Sequence, residues 1–525
     1  MSLIRNFLLV GGGTGSSRIL GFGRDMLMAA ALGAGPVADA FFVAFRLPNL
    51  FRRIFAEGAF NSAFVPLFAR ELEGQGQEAA RSFAQQALAA LTLTLLVLTI
   101  VAELAMPLVM YVLAPGFASD PEKFDLAVQL TRICFPYLLF VSLVALFSGL
   151  LNALGRFAVA AFAPTLLNVV FIGALLLIVW SGHAETPTAG VWLSWAVFFG
   201  GIAQLLMLIF AARRAGMAPA LVRPRLTPGV KRLVALAVPG VLAGGITQIN
   251  IVIGTMIASM APQAVSYLYY ADRIYQLPLG LVGVAIGVVL LPELARRLRA
   301  GEDGAAMHQQ NRALEFALAL TVPAAVALAA VPGPIISGLF ARGAFTEADA
   351  AATAGALAAF GLGLPAFVMI KVFQPGFFAR EDTRTPMWFA GVNAAINIVL
   401  SLALFPFLAH VGIAIATSVG GWVNAALLAI VLRRRGGLAF DDRLGSRVAR
   451  LVVASAVMGA ALVGVRVLAE PALAGMAGDK AILLVLLVGT GLFVYGGLAV
   501  MLGVLDRREI MGAVRRGRPE NLKAQ

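Results

Sequence analysis

Apolar runs of about twenty residues, separated by short polar breaks, recur along the whole chain. An α-helix of about twenty residues crosses a hydrocarbon layer of roughly 30 Å. The pattern predicts about fourteen membrane spans, near 3–33, 36–69, 84–114, 125–154, 157–181, 189–212, 233–260, 264–294, 311–340, 348–378, 386–408, 411–432, 448–468 and 481–504. The expected fold class is therefore all-α, a polytopic membrane protein. The first two spans carry several charges and would be weak on hydropathy alone. The apolar run from Phe7 to Val10 is too short for a cleaved signal, so the N-terminus reads as the start of the first membrane helix.

The polar breaks carry orientation. Lys and Arg collect on the cytoplasmic side of a membrane protein. One set of alternate breaks holds Arg70, Arg81, Arg156, the group from Arg213 to Arg232, Arg296, Arg297, Arg299, Arg380, Arg384, Arg433 to Arg435 and the tail from Arg507. The other set holds little more than Lys123, Arg342 and Lys480, beside acids. Both termini are thus expected in the cytoplasm, which requires an even number of spans.

The first six spans and the next six read as two copies of one unit, offset by roughly 227 residues. "FVPLFAREL" at 64–72 is answered by "LLPELARRL" at 290–298, Pro107 by Pro334, Gly149 by Gly376 and Asn168 by Asn397. Ser119 with Glu122, and Thr346 with Asp349, each read as the capped start of the fourth span in their copy. An even number of spans per copy makes the copies parallel, with a pseudo-two-fold axis along the membrane normal. Two such lobes rocking about a shared site are a transporter architecture. The expected organisation is an N-terminal lobe over 1–222, a C-terminal lobe over 223–440, and two extra helices with a basic cytoplasmic tail over 441–525.

Composition narrows the class. The chain has 525 residues, 60% hydrophobic and only 13% charged, yet a formal net charge of +13. Soluble proteins carry roughly 25% charged residues, so a soluble domain and a disordered chain are both excluded. A single cysteine, Cys134, rules out an internal disulfide or a thiol metal cluster, and His183, His308 and His410 lie too far apart to write a metal motif. "FLLVGGGTGSSR" at 7–18 lacks the spacing and the Lys of a phosphate-binding loop. Asp441-Asp442 is followed by Gly445 where an aspartate-rich transferase motif needs an acid, so it reads as a solvated loop. The basic tail suits anionic lipid head groups rather than nucleic acid. No acid cluster or nucleophile–base pair sits on a large loop, so the chain reads as a transporter and not an enzyme.

The candidate chemistry is the charge inside the spans: Arg18, Arg24, Arg46, Arg52, Arg53, Arg273 and Lys371, with Asp25, Asp39, Glu57, Glu103 and Asp272. Each charge at a helix centre costs about 2.5 to 3.5 kcal/mol, so these groups must be paired or face water. In the second span Asp39, Arg46, Arg53 and Glu57 fall within about 40° of one another on a helix, with Arg52 pointing away. For these four, interhelical salt bridges and a functional role stand even. The structural reading of these charges is salt bridges between helices, Asp25 to an arginine or Asp272 to a neighbour. For Arg18, Arg24, Arg52 and Arg273 the functional reading is favoured, because interior bases outnumber acids. Arginine binds phosphate bidentately, so the substrate is expected to be a phosphate or pyrophosphate anion.

"SSRILGFGRDMLMAAALGAG", "ADAFFVAFRLPNLFRRIFAEGAFNSAFVP", "YLYYADRIYQLPLG" and "FFAREDTRTP" resemble the MurJ (MviN) family, the lipid II flippases of bacterial cell-wall synthesis. The likeness runs over nearly the whole chain, within the wider multidrug/oligosaccharidyl-lipid/polysaccharide exporter superfamily. It implies transfer of undecaprenyl-pyrophosphate carrying a disaccharide-pentapeptide from the cytoplasmic to the periplasmic leaflet of the inner membrane. By match to the family's motifs, Arg18, Arg24, Arg52 and Arg273 would bind the head group, supported by Ser17, Asp39, Arg53, Glu57 and Asp272. The two extra helices would border a groove for the lipid tail. Implied partners are lipid II, membrane lipids and the cell-wall synthesis machinery, with the chain a monomer. Some relatives bind sodium through polar residues whose counterparts are Asn250, Asn393, Asn397 and Thr417. These include no carboxylate, which a hard cation prefers, so they read better as interhelical hydrogen bonds; no cofactor is expected, and the coupling ion is open. The alternatives are export of another lipid-linked oligosaccharide, or a cation-coupled drug antiporter of the same superfamily, which would present acids to its substrate.

Overall fold

The computed structural model describes residues 3–53, 60–476 and 478–504, and every regular element among them is helical. In chain order the helices are α1 (Leu3–Leu32), α2 (Pro36–Arg52), α3 (Asn61–Leu104), α4 (Met106–Leu113), α5 (Pro121–Cys134), α6 (Tyr137–Ala153), α7 (Phe157–Trp180), α8 (Pro187–Arg214), α9 (Pro228–Ser259), α10 (Ala264–Arg299), α11 (Asp303–Ala330), α12 (Pro332–Phe340), α13 (Glu347–Phe378), α14 (Arg384–Arg434), α15 (Asp442–Leu473) and α16 (Asp479–Met501). Among the described residues nine helical stretches are long and apolar enough to cross a membrane. The chain is an all-α polytopic membrane protein. Neither α1 nor α2 is among the nine, as their internal charges lead one to expect.

Breaks between helices are tighter than the hydropathy pattern suggests. The polar stretch expected between 69 and 84 is helical on both sides of one residue, Gly76, at φ 85° and ψ −177°. A β-carbon is strained in that conformation, which is why glycine stands there. α14 holds two expected spans, interrupted only at Ala409, with φ 44° and ψ −128°. Polarity in a helix that leaves the bilayer costs no hydrogen bond, so polar sequence and helix end do not coincide.

The capped starts divide. Thr346 and Asp349 form the expected reciprocal cap at the head of α13: the Thr346 N–H and hydroxyl donate to Asp349 Oδ2 at 2.9 and 2.7 Å, and the Asp349 N–H returns to Thr346 Oγ1 at 3.2 Å. At α5 the cap is Asp120, accepting the Lys123 N–H at 3.1 Å, and not Ser119. The Ser119 hydroxyl instead donates to Gly116 O at 2.8 Å, because residues 115–119 form a short 3-10 turn and α5 begins with Pro121.

The chain divides into two compact units, Met1–Tyr269 with Phe340–Asp349, and Tyr270–Leu339 with Ala350–Gln525. In the first, α1 packs on α7, α7 on α8, α2 on α5 and α3 on α6. α9 also belongs to it, packed against α3 and α4. Its core gathers Phe64, Phe68, Phe83, Phe147, Leu208 and Leu233. In the second, α15 packs on α11 and on α16, around Val331, Met458, Leu462, Leu483 and Leu487. Lipid is as apolar as leucine, so close packing must hold such helices together. Gly149 and Gly376, matched in the repeat, show how. A β-carbon on Gly149 would come within 3.1 Å of Asn61 Oδ1 and Val65 Cγ2, and one on Gly376 within 3.0 Å of Gln310 Nε2 and Leu432 Cδ2. The outer faces keep large apolar side chains exposed, among them Trp180, Phe407 and Phe493, as a lipid-facing surface requires.

Candidate functional site

In the first unit α1, α7 and the start of α10 bring together groups that lie far apart in sequence. Arg24 is buried, and its Nη2 and Nε donate to Asp25 Oδ1 at 2.7 and 3.1 Å. Its Nη1 donates to Asn168 Oδ1 at 3.0 Å, and its guanidinium lies 5.2 Å from the centre of the Phe171 ring. The Tyr269 hydroxyl donates to the same Asp25 oxygen at 3.3 Å. Asn168 Nδ2 in turn donates to the Ser17 carbonyl at 2.9 Å. A buried guanidinium survives only when its charge is met, and here Asp25, the next residue on the same helix, meets it, where a salt bridge between helices was expected. Arg18 contrasts with Arg24: it is exposed and makes no hydrogen bond or ion pair among the described residues. An uncommitted guanidinium with all its N–H donors available is what recognition of an oxyanion needs.

On α2 the charged residues make the following contacts among the described residues. Arg46 donates to Thr255 Oγ1 at 2.6 Å, and Arg52 Nε to Asn49 Oδ1 at 3.2 Å. Arg53 is exposed, and Glu57 lies outside the described residues. Asp39 is fully buried and pairs with Lys123 Nζ at 2.6 Å. It also accepts the N–H groups of Gln263 and Ser266 at 3.0 and 2.9 Å and the Ser266 hydroxyl at 2.6 Å. Asp39 thus caps α10 from another helix, a role in which a carboxylate meets the positive end of the helix dipole.

In the second unit Asp272 accepts from Gln276, one turn later in α10, and Arg273 is half-buried. Tyr275 stacks against Phe360 with ring centres 5.5 Å apart. Lys371 on α13 is exposed. The loop within "FFAREDTRTP" is locked by Asp382, which accepts the Thr385 hydroxyl and N–H at 2.6 and 2.9 Å and pairs with Arg435 at 2.5 Å. The Thr385 donors first, and then Arg435, hold its carboxyl down at about 2.

Of the residues matched to a sodium site, Asn397 and Thr417 hydrogen-bond to each other within α14. Asn397 Nδ2 donates to Thr417 Oγ1 at 3.1 Å, Asn397 Oδ1 accepts the Ser401 hydroxyl at 3.0 Å, and the Thr417 hydroxyl donates to Ile413 O at 2.8 Å. The side-chain oxygen of Asn393 is by contrast buried with no hydrogen-bond partner among the described residues. Asn393, a turn before Asn397, and Asn250 on α9 are half-buried and bring no carboxylate. Among the described residues no group of three or more His, Cys, Asp and Glu is placed to hold a metal ion.

Sequence reasoning missed Asn168 as a partner of Arg24, and Lys123 and Ser266 as partners of Asp39. The repeat had marked Asn168, and a buried amide recurring in both copies was the available signal. The Asp39 contacts reach across 84 and 227 residues, which no local pattern encodes.

The fold and its arginines define a class, the polytopic membrane transporters. The same fold is seen in a structure titled "Inward-facing conformation of a multidrug resistance MATE family transporter of the MOP superfamily", with a TM-score of 0.66 at 15% identity over 80% of this chain and 94% of that one. A structure titled "Lipid II flippase MurJ, inward closed conformation" matches with a TM-score of 0.76 at 25% identity, over 96% of this chain and all of that one. A "Probable lipid II flippase MurJ" of Rhizobium tropici is 51% identical over 99% of this chain and 98% of its own length. The family model described as "Lipid II flippase MurJ" matches residues 28–477. The chain belongs to the MurJ family of lipid II flippases, and is a transporter of the bacterial inner membrane rather than an enzyme.

Proposed function

We propose that this chain carries lipid II, the undecaprenyl-pyrophosphate-linked disaccharide-pentapeptide, from the cytoplasmic to the periplasmic leaflet by alternating access, for peptidoglycan synthesis. The observation that carries the reading is the pair on α1: Arg24 held buried by Asp25 and Asn168, and Arg18 exposed earlier on the same helix with no hydrogen bond or ion pair among the described residues. A charge in a membrane helix without a partner has to be offset by water or ligand, and a pyrophosphate offers several oxygens to it. In this reading Arg18, Arg24, Arg52 and Arg273 meet the head group, with Ser17, Asp39, Arg53, Glu57 and Asp272 in support. Asp25 holds Arg24 until the substrate's oxygens replace it. The polyprenyl tail stays in the bilayer along α15 and α16. Fourteen spans, two parallel six-span lobes over 1–222 and 223–440, cytoplasmic termini, a monomeric state and contact with the cell-wall synthesis machinery complete the proposal.

The test is complementation. In cells depleted of every lipid II flippase, the wild-type gene should restore external lipid II and growth. Arg18→Ala, Arg24→Ala, Arg52→Ala and Arg273→Ala, each inserted at wild-type level, should not. Arg18→Lys should recover little, because an ammonium cannot engage a pyrophosphate bidentately. Normal lipid II exposure in all four alanine variants would return these arginines to a structural role.

A further inference from the structure

The segment that joins α8 to α9 carries six bases, Arg213, Arg214, Arg223, Arg225, Lys231 and Arg232, with no acid between the first and the last of them. All six are exposed, and none makes a salt bridge among the described residues. Two leucines accompany them: Leu221 and Leu226 are 68% and 73% exposed and lie outside any helix. The backbone that presents these side chains is tied to the core of the first unit. Met217 is buried in that core at one end and Leu233 at the other. Between them the Arg225 N–H donates to Gln86 Oε1 on α3 at 2.9 Å, and Thr227 caps α9 by accepting the Val230 N–H at 3.3 Å. A β-carbon on Gly229 would come within 3.0 Å of Phe83 Cδ2, so α3 and the start of α9 are in close contact here. Leu221, Arg223, Arg225 and Leu226 are therefore displayed from a chain anchored on both sides.

The flanking helices set the depth of the segment. α8 is long and apolar enough to cross a membrane, and its exposed Leu206 and Phe210 are followed directly by Arg213 and Arg214. On α9 the order is reversed, with Lys231 and Arg232 first and exposed Val234, Leu236 and Val238 after them. Apolar side chains exposed on a membrane helix face hydrocarbon, and the bases next to them stand at the level of the lipid head groups. Both ends of the segment thus lie at one membrane interface, with Leu221 and Leu226 between them. A charge bias that only orients the chain needs neither an anchored backbone nor exposed leucines. A nucleic acid or an acidic protein would answer the bases and leave the leucines in water. An anionic bilayer answers both, because its phosphates meet the bases and its acyl boundary receives the leucines.

We propose that residues 213–232 dock on the anionic lipid surface of the leaflet that α8 and α9 enter, with the bases on lipid phosphates and with Leu221 and Leu226 inserted among them. The surface is separate from the arginines of α1 and α2 and does not depend on their role. It ties the connection between the sixth and seventh expected spans to the bilayer.

The test uses the full-length protein in nanodiscs. A variant with Cys134→Ser and Ala220→Cys carries an environment-sensitive fluorophore beside Leu221, at a position that is itself exposed. In phosphatidylcholine nanodiscs that contain phosphatidylglycerol, the emission should shift to the blue. It should be quenched by phosphatidylglycerol bearing a nitroxide high on its acyl chain, and more weakly by the matching phosphatidylcholine. Arg223→Gln and Arg225→Gln each remove a charge without removing a side-chain hydrogen bond or ion pair among the described residues. Each should lower the preference for the phosphatidylglycerol quencher about fivefold. Leu221→Ser combined with Leu226→Ser should cancel the blue shift while the bases remain. Water-like emission in phosphatidylglycerol nanodiscs, equal quenching by the two lipids, or an unchanged preference in both arginine variants at wild-type thermal stability overturns the proposal. Loss of the quenching when soluble RNA or polyglutamate is added also overturns it, by showing that a soluble polyanion is the preferred occupant.

Discussion

Among single residues, burial decides what a charge does. Asp39 is held by Lys123 and by three donors at the start of α10, so its carboxylate is a structural centre in the state seen here. Removing one partner of such a buried pair typically costs about 3 to 5 kcal/mol, because the other charge is left unmet. Asp39→Asn should therefore lower thermal stability markedly, and Lys123→Met should be milder when Asp39→Asn is already present than in the wild type. A double-mutant cycle should give a coupling above about 1 kcal/mol. Strict additivity would mean the pair contributes nothing beyond its separate contacts. The residue types at the candidate site were legible in the sequence, because arginine in an apolar run is expensive enough to stand out. Their partners were not. Asp25 pairs with its own neighbour Arg24 although adjacent residues do not share a helix face, since the long guanidinium side chain folds back to reach it.

Among the elements, the helices themselves were readable and their joints were not. α1, α7, α8, α13 and α16 lie within a few residues of the expected spans, because hydrophobic length sets a membrane helix. The joint at 409 was expected as an ordinary break between spans, yet it is a single alanine with positive φ. Positive φ costs an L-residue with a β-carbon roughly 1 to 2 kcal/mol, so Ala409→Gly should raise the melting temperature in detergent, offset in part by the greater chain entropy of glycine. A melting temperature at or below the wild type would mean that the joint carries no strain. The cap at Asp120 rather than Ser119 has the same lesson: a short 3-10 turn moved the helix start along the chain, and nothing in local composition announced that turn.

For the molecule as a whole, the proposed topology makes a direct prediction. Cys134 is the only cysteine and is buried, so a Cys134→Ser background is silent to a membrane-impermeant thiol reagent. In intact spheroplasts, single cysteines at positions 119 and 346 should label, while those at 301 and 436 should label only after the membrane is opened. The reverse pattern would invert the proposed orientation. Reading the residues in order was enough to establish a polytopic helical membrane protein, to locate its basic residues and to single out the interior arginines whose charge needs an offset. These follow from hydropathy and from the cost of charge in hydrocarbon, which act on each segment wherever it packs. Folding in three dimensions was needed to engage Arg24 while leaving Arg18 without a partner among the described residues, to set Asp39 as the cap of a distant helix, and to gather Arg312, Arg443 and Arg447 on Glu315 between α11 and α15. Those outcomes depend on which helices lie side by side, and side-chain pairing across hundreds of residues is fixed by packing rather than by any local pattern.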